Sequence, residues 1–180
     1  MSDTSGNEQV IIGLTNPKST TNVGAVMRAA GCYQADQVLY SGTRYDRATK
    51  MATDTKKAHT NIPLLHIDSL DAQSFIDAVA EDVAIVCVDL IQGATPLPAF
   101  EHPDKALYIF GPEDGTISQQ IVNQSDHVVF VPTVGCMNLA ASVNVLLYDR
   151  LAKSSRAQAG DEWIIKSKDS NNNVKVPKPR

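Results

Sequence analysis

Residues 106–115 read Ala106-Leu107-Tyr108-Ile109-Phe110-Gly111-Pro112-Glu113-Asp114-Gly115. Five apolar residues without polar alternation, stopped by Gly-Pro, describe a strand covered on both faces. Val83-Ala84-Ile85-Val86-Cys87-Val88 has the same character. So do Val10-Ile11-Ile12-Gly13-Leu14, which runs into Asn16-Pro17, Gln37-Val38-Leu39-Tyr40, and His127 to Val131 closed by Pro132. Ile62 to Ile67 adds a short strand. Helical patterns lie between these runs. Val23 to Ala30 carries Val23, Val26, Met27 and Ala30 on one face, with N-cap candidates in 18–22 and Gly31 as a stop. Leu70 to Ala80 is amphipathic, Ile117 to Asn123 allows one or two turns, and Asn138 to Lys153 is long, with Leu139, Val143, Leu146, Leu147 and Leu151 on its apolar side. This alternation predicts an α/β domain with a largely parallel sheet and flanking helices. Ligands of such sheets sit beyond the carboxyl ends of the strands. That singles out the loops 15–22, 111–115 and 132–138.

Composition agrees with one domain of ordinary size. The chain has 180 residues, 43% hydrophobic and 20% charged. The expected division is a domain over 1–153 and a basic, flexible tail over 154–180, where Asn171-Asn172-Asn173 and Pro177 interrupt any pattern. No apolar run reaches the ~20 residues that span a bilayer, and MSDTSGNEQV at the start lacks the apolar core of a secretory signal. Cys32, Cys87 and Cys136 are odd in number and far apart, which fits reduced thiols and a cytoplasmic protein. Without a CxxC or grouped histidines, no metal is expected.

Net charge is −4, unevenly spread. Residues 153–180 hold seven basic and three acidic side chains, a surplus of four, against a deficit of eight in 1–152. Inside the acidic part, Arg44, Arg47, Lys50, Lys56 and Lys57 face only Asp46 and Asp54. A polyanion meets local charge, within a Debye length of roughly 8 Å. On charge alone this segment reads equally as a polyanion contact or a solvated loop.

The common nucleotide fingerprints are missing: no GxGxxG follows the first strand, and no GxxxxGK[ST] or GxSxG occurs. Three other segments stand at the strand ends: Asn22-Val23-Gly24-Ala25-Val26-Met27-Arg28-Ala29-Ala30, then Phe110-Gly111-Pro112-Glu113-Asp114-Gly115, then Val131-Pro132 through Cys136-Met137-Asn138-Leu139-Ala140. In this order and spacing they resemble the SpoU/TrmH family of SPOUT RNA methyltransferases, over Val10 to Ala152. The family pattern is N-x-G-x-x-x-R-x-A, F-G-x-E-x-x-G, and I-P followed by S-[LM]-N-[LV]. Two departures stand out. Cys136 occupies the usual serine position, and Glu113-Asp114-Gly115 is one residue tighter than the commoner spacing.

The resemblance implies a C-terminal trefoil knot, S-adenosylmethionine as cofactor with S-adenosylhomocysteine as product, and methyl transfer to a ribose 2′-hydroxyl of tRNA or rRNA, with tRNA favoured. It implies cofactor contacts at Leu90, Gly111, Gly115, Val131, Cys136, Met137 and Leu139. Core packing is the plain alternative for Leu90, Val131, Met137 and Leu139. It places Arg28, Asn22, Glu113 and Asn138 in the catalytic site. Arg28 is the residue the family uses for transfer; outside the family it would read as a surface ion pair. Guanidinium, with a pKa above about 12, is a poor base, so Arg28 is expected to grip the 2′-oxygen and its phosphate. Asn22 is expected to cap its helix or anchor the cofactor loop, and Glu113 to fix a loop or bond the helix carrying Arg28. RNA contacts are expected from Arg44, Arg47, Lys50, Lys56 and Lys57. The helix after Asn138 is expected to build a homodimer, although an internal helix of a monomer would look the same. Two other readings stay open: a catalytically silent RNA-binding relative, and an unrelated α/β enzyme for another nucleotide.

Overall fold

Burial alternates along the first strand, and that alternation defines the layers. The computed structural model describes residues 8–51, 62–67, 72–158 and 160–177. In β1 (Gln9–Leu14), Val10, Ile12 and Leu14 pack with α1 (Thr20–Tyr33) and α5 (Leu139–Lys153). Ile11 points to the opposite layer, with Phe75 of α3 (Ala72–Asp77) and Ile121 of α4 (Gln119–Asn123). The same split holds in β4 (Ala84–Val88) and β6 (Lys105–Phe110): Val86, Tyr108 and Phe110 face α1 and α5, while Ile85, Cys87, Leu107 and Ile109 face α3 and α4. Both faces being covered explains the unbroken apolar runs.

With β2 (Gln37–Ser41), β3 (Leu64–Ile67), β5 (Thr95–Pro96) and β7 (His127–Phe130), these strands form one seven-stranded sheet in the order β3-β2-β1-β6-β4-β7-β5. Every pairing is parallel. Phe110 is in register with Leu14 on one side and Val88 on the other, and Val88 with Val129. The loops that leave β1, β4, β6 and β7 therefore start side by side at the carboxyl edge.

Local details differ from the sequence expectations. Helix α1 starts earlier, with Ser19 as N-cap accepting from the Asn22 N–H at 3.2 Å, and passes through Gly31. Gly31 costs a helix only about 1 kcal/mol, so it does not stop this one. The stop is Gln34, left-handed at φ 59, after which the N–H of Ala35 returns to the Ala30 carbonyl at 2.9 Å and the Ala35 side chain is buried. The basic segment is helical over α2 (Arg44–Met51). Strand β5 carries no periodicity because it is two exposed residues long, held by buried Leu97 in the 3₁₀ turn Leu97–Ala99. Beyond Lys153 come a 3₁₀ turn, Ser155–Gln158, and α6 (Asp161–Ser167), with Trp163, Ile164 and Ile165 exposed.

The amino edge holds a buried polar network. Arg150, in the last turn of α5, donates to the carbonyls of Pro103 and Asp104 at 2.6 and 2.8 Å and to the Tyr108 hydroxyl at 2.9 Å. His102 Nδ1 meets that hydroxyl at 2.8 Å and Nε2 meets Asp149 at 2.9 Å. Burial pushes the Tyr108 phenol up to about 12. Among the described residues no helix is long and apolar enough to cross a membrane.

Candidate functional site

The loops after β4, β6 and β7 form a cleft of about 370 Å³ at the carboxyl edge, within the usual range for small-ligand sites. Leu90, Gly111, Gly115, Val131, Cys136, Met137 and Leu139, singled out from three separate segments, all line it, as do Glu113 and Asn138. Leu139 is buried and so also packs in the core; Leu90 and Cys136 are exposed, which leaves them free to meet a ligand. Gly111 is the tightest point. A Cβ there would sit 2.9 Å from Asp89 Oδ2 and 3.2 Å from the Ile117 nitrogen. The short spacing to Gly115 is closed by a turn, in which its N–H donates to the Pro112 carbonyl at 3.3 Å.

Glu113 lies across the start of α1. Its carboxylate accepts from the backbone N–H groups of Lys18 and Ser19 at 3.0 and 3.1 Å and from Asn22 Nδ2 at 3.2 Å. An anion over the unpaired N–H groups of a helix start is favourable twice, through hydrogen bonds and the helix dipole. Burial alone would push this carboxyl up. Hydrogen bonds from its own backbone, Lys18, Asn22 and Ser19 outweigh that and hold it below the usual carboxylate range. The Asn22 side chain does not cap its helix, since Ser19 does. It accepts from Asn138 Nδ2 at 3.0 Å, and Asn138 in turn caps α5, its Oδ1 accepting from the Ala140 N–H at 2.9 Å. Three of the four residues expected at the catalytic site thus form one relay, Glu113 to Asn22 to Asn138, joining two helix starts to the loop after β6.

Arg28 stands apart. It is exposed on α1, makes no hydrogen bond or ion pair with any described residue, and does not line the cleft. Six residues along one helix separate it from Asn22 by about 9 Å of axial rise. Arg44, Arg47 and Lys50 lie on α2, where Arg47 and Lys50 are exposed. The Arg44 guanidinium is half-buried and forms a fork with Asp114, at 3.0 Å for each nitrogen. Lys56 and Lys57 lie outside the described residues.

Sequence reasoning passed over Asp89. It closes β4 at the cleft floor, where Oδ2 accepts from the Ile117 N–H at 3.0 Å and Oδ1 from its own neighbour Leu90 at 2.8 Å. Its position after a buried strand at the carboxyl edge was the available signal. A second cleft, about 580 Å³, opens at the amino edge near Phe100, Glu101 and Ser155. It is larger, yet its cationic and imidazole groups are already engaged: Lys153 donates to Asp149, Leu97 and Phe100, and Arg150 and His102 belong to the buried network. Among the described residues no three His, Cys, Asp or Glu side chains group to hold a metal ion.

The SpoU rRNA Methylase family matches residues 9–148. No curated protein matches the chain. The fold is similar to that of the SpoU methyltransferase AviRb from Streptomyces viridochromogenes, solved in complex with AdoMet, with a TM-score of 0.65, 18% identity, and coverage of 81% of this chain and 57% of that one. It is also similar to a structure solved for 2-OH methylation of C/U34 on tRNA, with a TM-score of 0.68, 19% identity, and coverage of 86% of this chain and 94% of that one. A third likeness is to the A. aeolicus TrmH/SpoU tRNA modifying enzyme, with a TM-score of 0.63, 18% identity, and coverage of 89% and 86%. At these identities the likeness is one of fold, and the chain spans 57% of the length of AviRb.

Proposed function

Because the chain belongs to the SpoU rRNA methylase family, we propose that it is a cytoplasmic enzyme that methylates a ribose 2′-hydroxyl of RNA, with tRNA preferred over rRNA, from S-adenosylmethionine. One observation carries the reading: six residues picked from two separate motifs, with Leu90 after β4, line a single cleft at the carboxyl edge of a parallel sheet. The cleft fits this cofactor in chemistry as well as size. Asp89 and Glu113 bring carboxylates to its wall, suited to a ligand carrying sulfonium and ammonium charges. Gly111 lets the loop after β6 pass close to Asp89 and Ile117, which any side chain there would displace from the cleft wall. When bound, S-adenosylmethionine supplies a methyl group on a positively charged sulfur, leaving S-adenosylhomocysteine.

The chain's own residues bind and orient. Gly111, Gly115, Val131, Cys136, Met137 and Leu139 form the walls, with Leu90 at the mouth. Glu113, Asn22 and Asn138 hold the loops in register with α1 and α5, so that the walls are set before a ligand arrives. Arg28, unpaired and exposed, takes the phosphate beside the target ribose in a bidentate grip and aligns its 2′-oxygen; the hydroxyl proton leaves through the arginine, the phosphate or water. Arg47 and Lys50 hold further phosphates, with the expected contribution of Lys56 and Lys57 beside them. The distance of Arg28 from its own cleft supports a homodimer in which two protomers complete the sites. A trefoil knot belongs to the same reading.

The test is transfer of labelled methyl to total tRNA and to rRNA, with nucleosides identified after digestion. Arg28→Ala is expected to cut turnover at least ~100-fold, a loss near 2.7 kcal/mol. An exposed ion pair would be worth only about 0–1 kcal/mol of stability and would leave turnover alone. Arg28→Lys should recover little, since an ammonium lacks the planar fork. Methyl found on a base, or turnover in Arg28→Ala equal to wild type, rejects the mechanism. RNA binding with no methyl transfer selects the silent relative.

A further inference from the structure

Two acids lie within reach of the basic helix α2, and both are taken up in holding it. Asp46 accepts from the Tyr40 hydroxyl at 2.7 Å, which ties α2 to β2. Asp114 receives Arg44 Nη1 on one oxygen and Nη2 on the other, and the Lys18 ammonium at 3.1 Å. The backbone of Lys18 is fixed as well, by Glu113. Arg47 and Lys50, further along α2, have no side-chain partner among the described residues. The acids here are structural and the cations are in excess.

The geometry at Asp114 leaves something over. One carboxylate faces two cations, so Asp114 holds Arg44 and Lys18 together at the rim of the cleft, with the ionised Glu113 beside them. The Arg44 fork is end-on and uses one N–H from each terminal nitrogen. Guanidinium has five N–H groups, so the edge carrying Nε is open to a second planar acceptor, in a direction fixed by the first. The carboxyl of Asp114, hydrogen-bonded by Arg44 and then Lys18, is held down to about 2, so this clamp is charged at any working pH.

Resting on the RNA-methyltransferase reading above, we propose that Asp114 is a positioning residue for the substrate: it clamps Arg44 and Lys18 at the cleft rim so that the open edge of Arg44 and the Lys18 ammonium receive an RNA phosphodiester next to the reacting ribose. Asp114 touches no reacting atom and acts through the two cations. Charge alone predicts the reverse sign. Deleting a carboxylate makes the surface more positive, and a more positive surface binds a polyanion more tightly.

The test is RNA binding, measured by filter retention of purified tRNA and rRNA at several salt concentrations. Wild type, Asp114→Ala, Asp114→Glu, Arg44→Ala and the Arg44→Ala/Asp114→Ala double variant are compared, with calorimetry of S-adenosylmethionine and melting temperature alongside. Asp114→Ala is expected to weaken RNA binding at least ~5-fold despite the added positive charge, with Asp114→Glu recovering most of the loss. In the Arg44→Ala background, losing Asp114 should add less than about twofold, because the two act as one unit. Cofactor affinity should change much less than RNA affinity. Tighter or unchanged RNA binding in Asp114→Ala, additive effects in the double variant, or an equal fall in cofactor affinity overturns the proposal. Wild type that binds RNA but transfers no methyl defeats the functional reading, while the variant series still decides the clamp. Wild type that binds no RNA overturns both.

Discussion

At the carboxyl edge of the sheet, Glu113, Asn22 and Asn138 form a half-exposed hydrogen-bonded chain beside a cleft; at the amino edge, His102, Tyr108 and Arg150 form a largely buried one, which reaches the second cleft at its outer end. Helix α5 joins them, since Asn138 caps its start and Arg150 locks its last turn. The residue types are similar and the environments opposite. Buried, a polar chain must be complete, because each unpaired member costs about 1–3 kcal/mol. Half-exposed, it can leave donors and acceptors for a ligand, with water covering them in the meantime. The amino edge fixes where α5 sits; the carboxyl edge uses that fixed helix start to shape a site.

The largest effect that would break this contrast is at the cleft. Gly111→Val should push Asp89 from its hydrogen bonds to Leu90 and Ile117 and fill the space between β4 and β6. Binding of S-adenosylmethionine, followed by calorimetry, is expected to fall at least ~100-fold. A variant that binds within threefold of wild type moves the site away from this edge. Next comes Arg150→Met, which leaves two carbonyls and the Tyr108 hydroxyl without their donor. The loss should be about 3 kcal/mol of stability, or roughly 10 °C in melting temperature for a chain of this size. Cofactor affinity of the folded protein should not move. If it falls with stability, the two edges are not separable.

The smallest effect is in pH, and it sets the order in which the edges fail. Burial holds His102 below the usual imidazole range, against the pull of Asp149 and with help from Arg150 and Lys153. A neutral ring satisfies the network fully: Nε2–H donates to Asp149, and Nδ1 accepts from a Tyr108 hydroxyl that itself accepts from Arg150. The unfolded chain takes up this proton near pH 6.5, so the stability is whole above that and is lost as pH falls toward the lower folded value. Glu113, also depressed, keeps its contribution above about 4.3 and loses it as pH drops further. Melting temperature should therefore fall in a first step that His102→Gln abolishes, with the Glu113 step below it unchanged. A single step, or one untouched by His102→Gln, would remove the distinction.

Much of the carboxyl edge was legible in the chain. Unbroken apolar runs marked β1, β4, β6 and β7, and a parallel sheet puts the next residues together whatever they are. Gly111 and Cys136 were brought to one cleft by that rule and the resemblance jointly. What escaped were pairings between distant residues with no local mark. Asp114 and Arg44 are 70 positions apart, and Arg150 and Tyr108 are 42 apart. Arg150 follows an apolar stripe in a last turn, where a cation ordinarily serves the helix dipole in solvent, so nothing in its neighbours announced burial. Gly31 shows the opposite failure. Its local signal was strong and the packing of Ala30 and Ala35 on either side overrode it.

The strand order carries a consequence for how the chain reaches this state. Strand β1 lies against β6, so Gln9 waits for Lys105 before its ladder can close, and both neighbours of β4 are made after it. A chain leaving the ribosome can pair β1, β2 and β3 early, but the inner edge of β1 then stands bare until Phe110 has emerged. Contacts of such long sequence separation slow folding, because the loop between them must be closed before any bond is gained. An open edge on an apolar strand is also a template for a foreign strand. Refolding from denaturant should thus be slow and concentration-sensitive in its yield, with amide protection in β2 and β3 arriving before protection at the centre of the sheet.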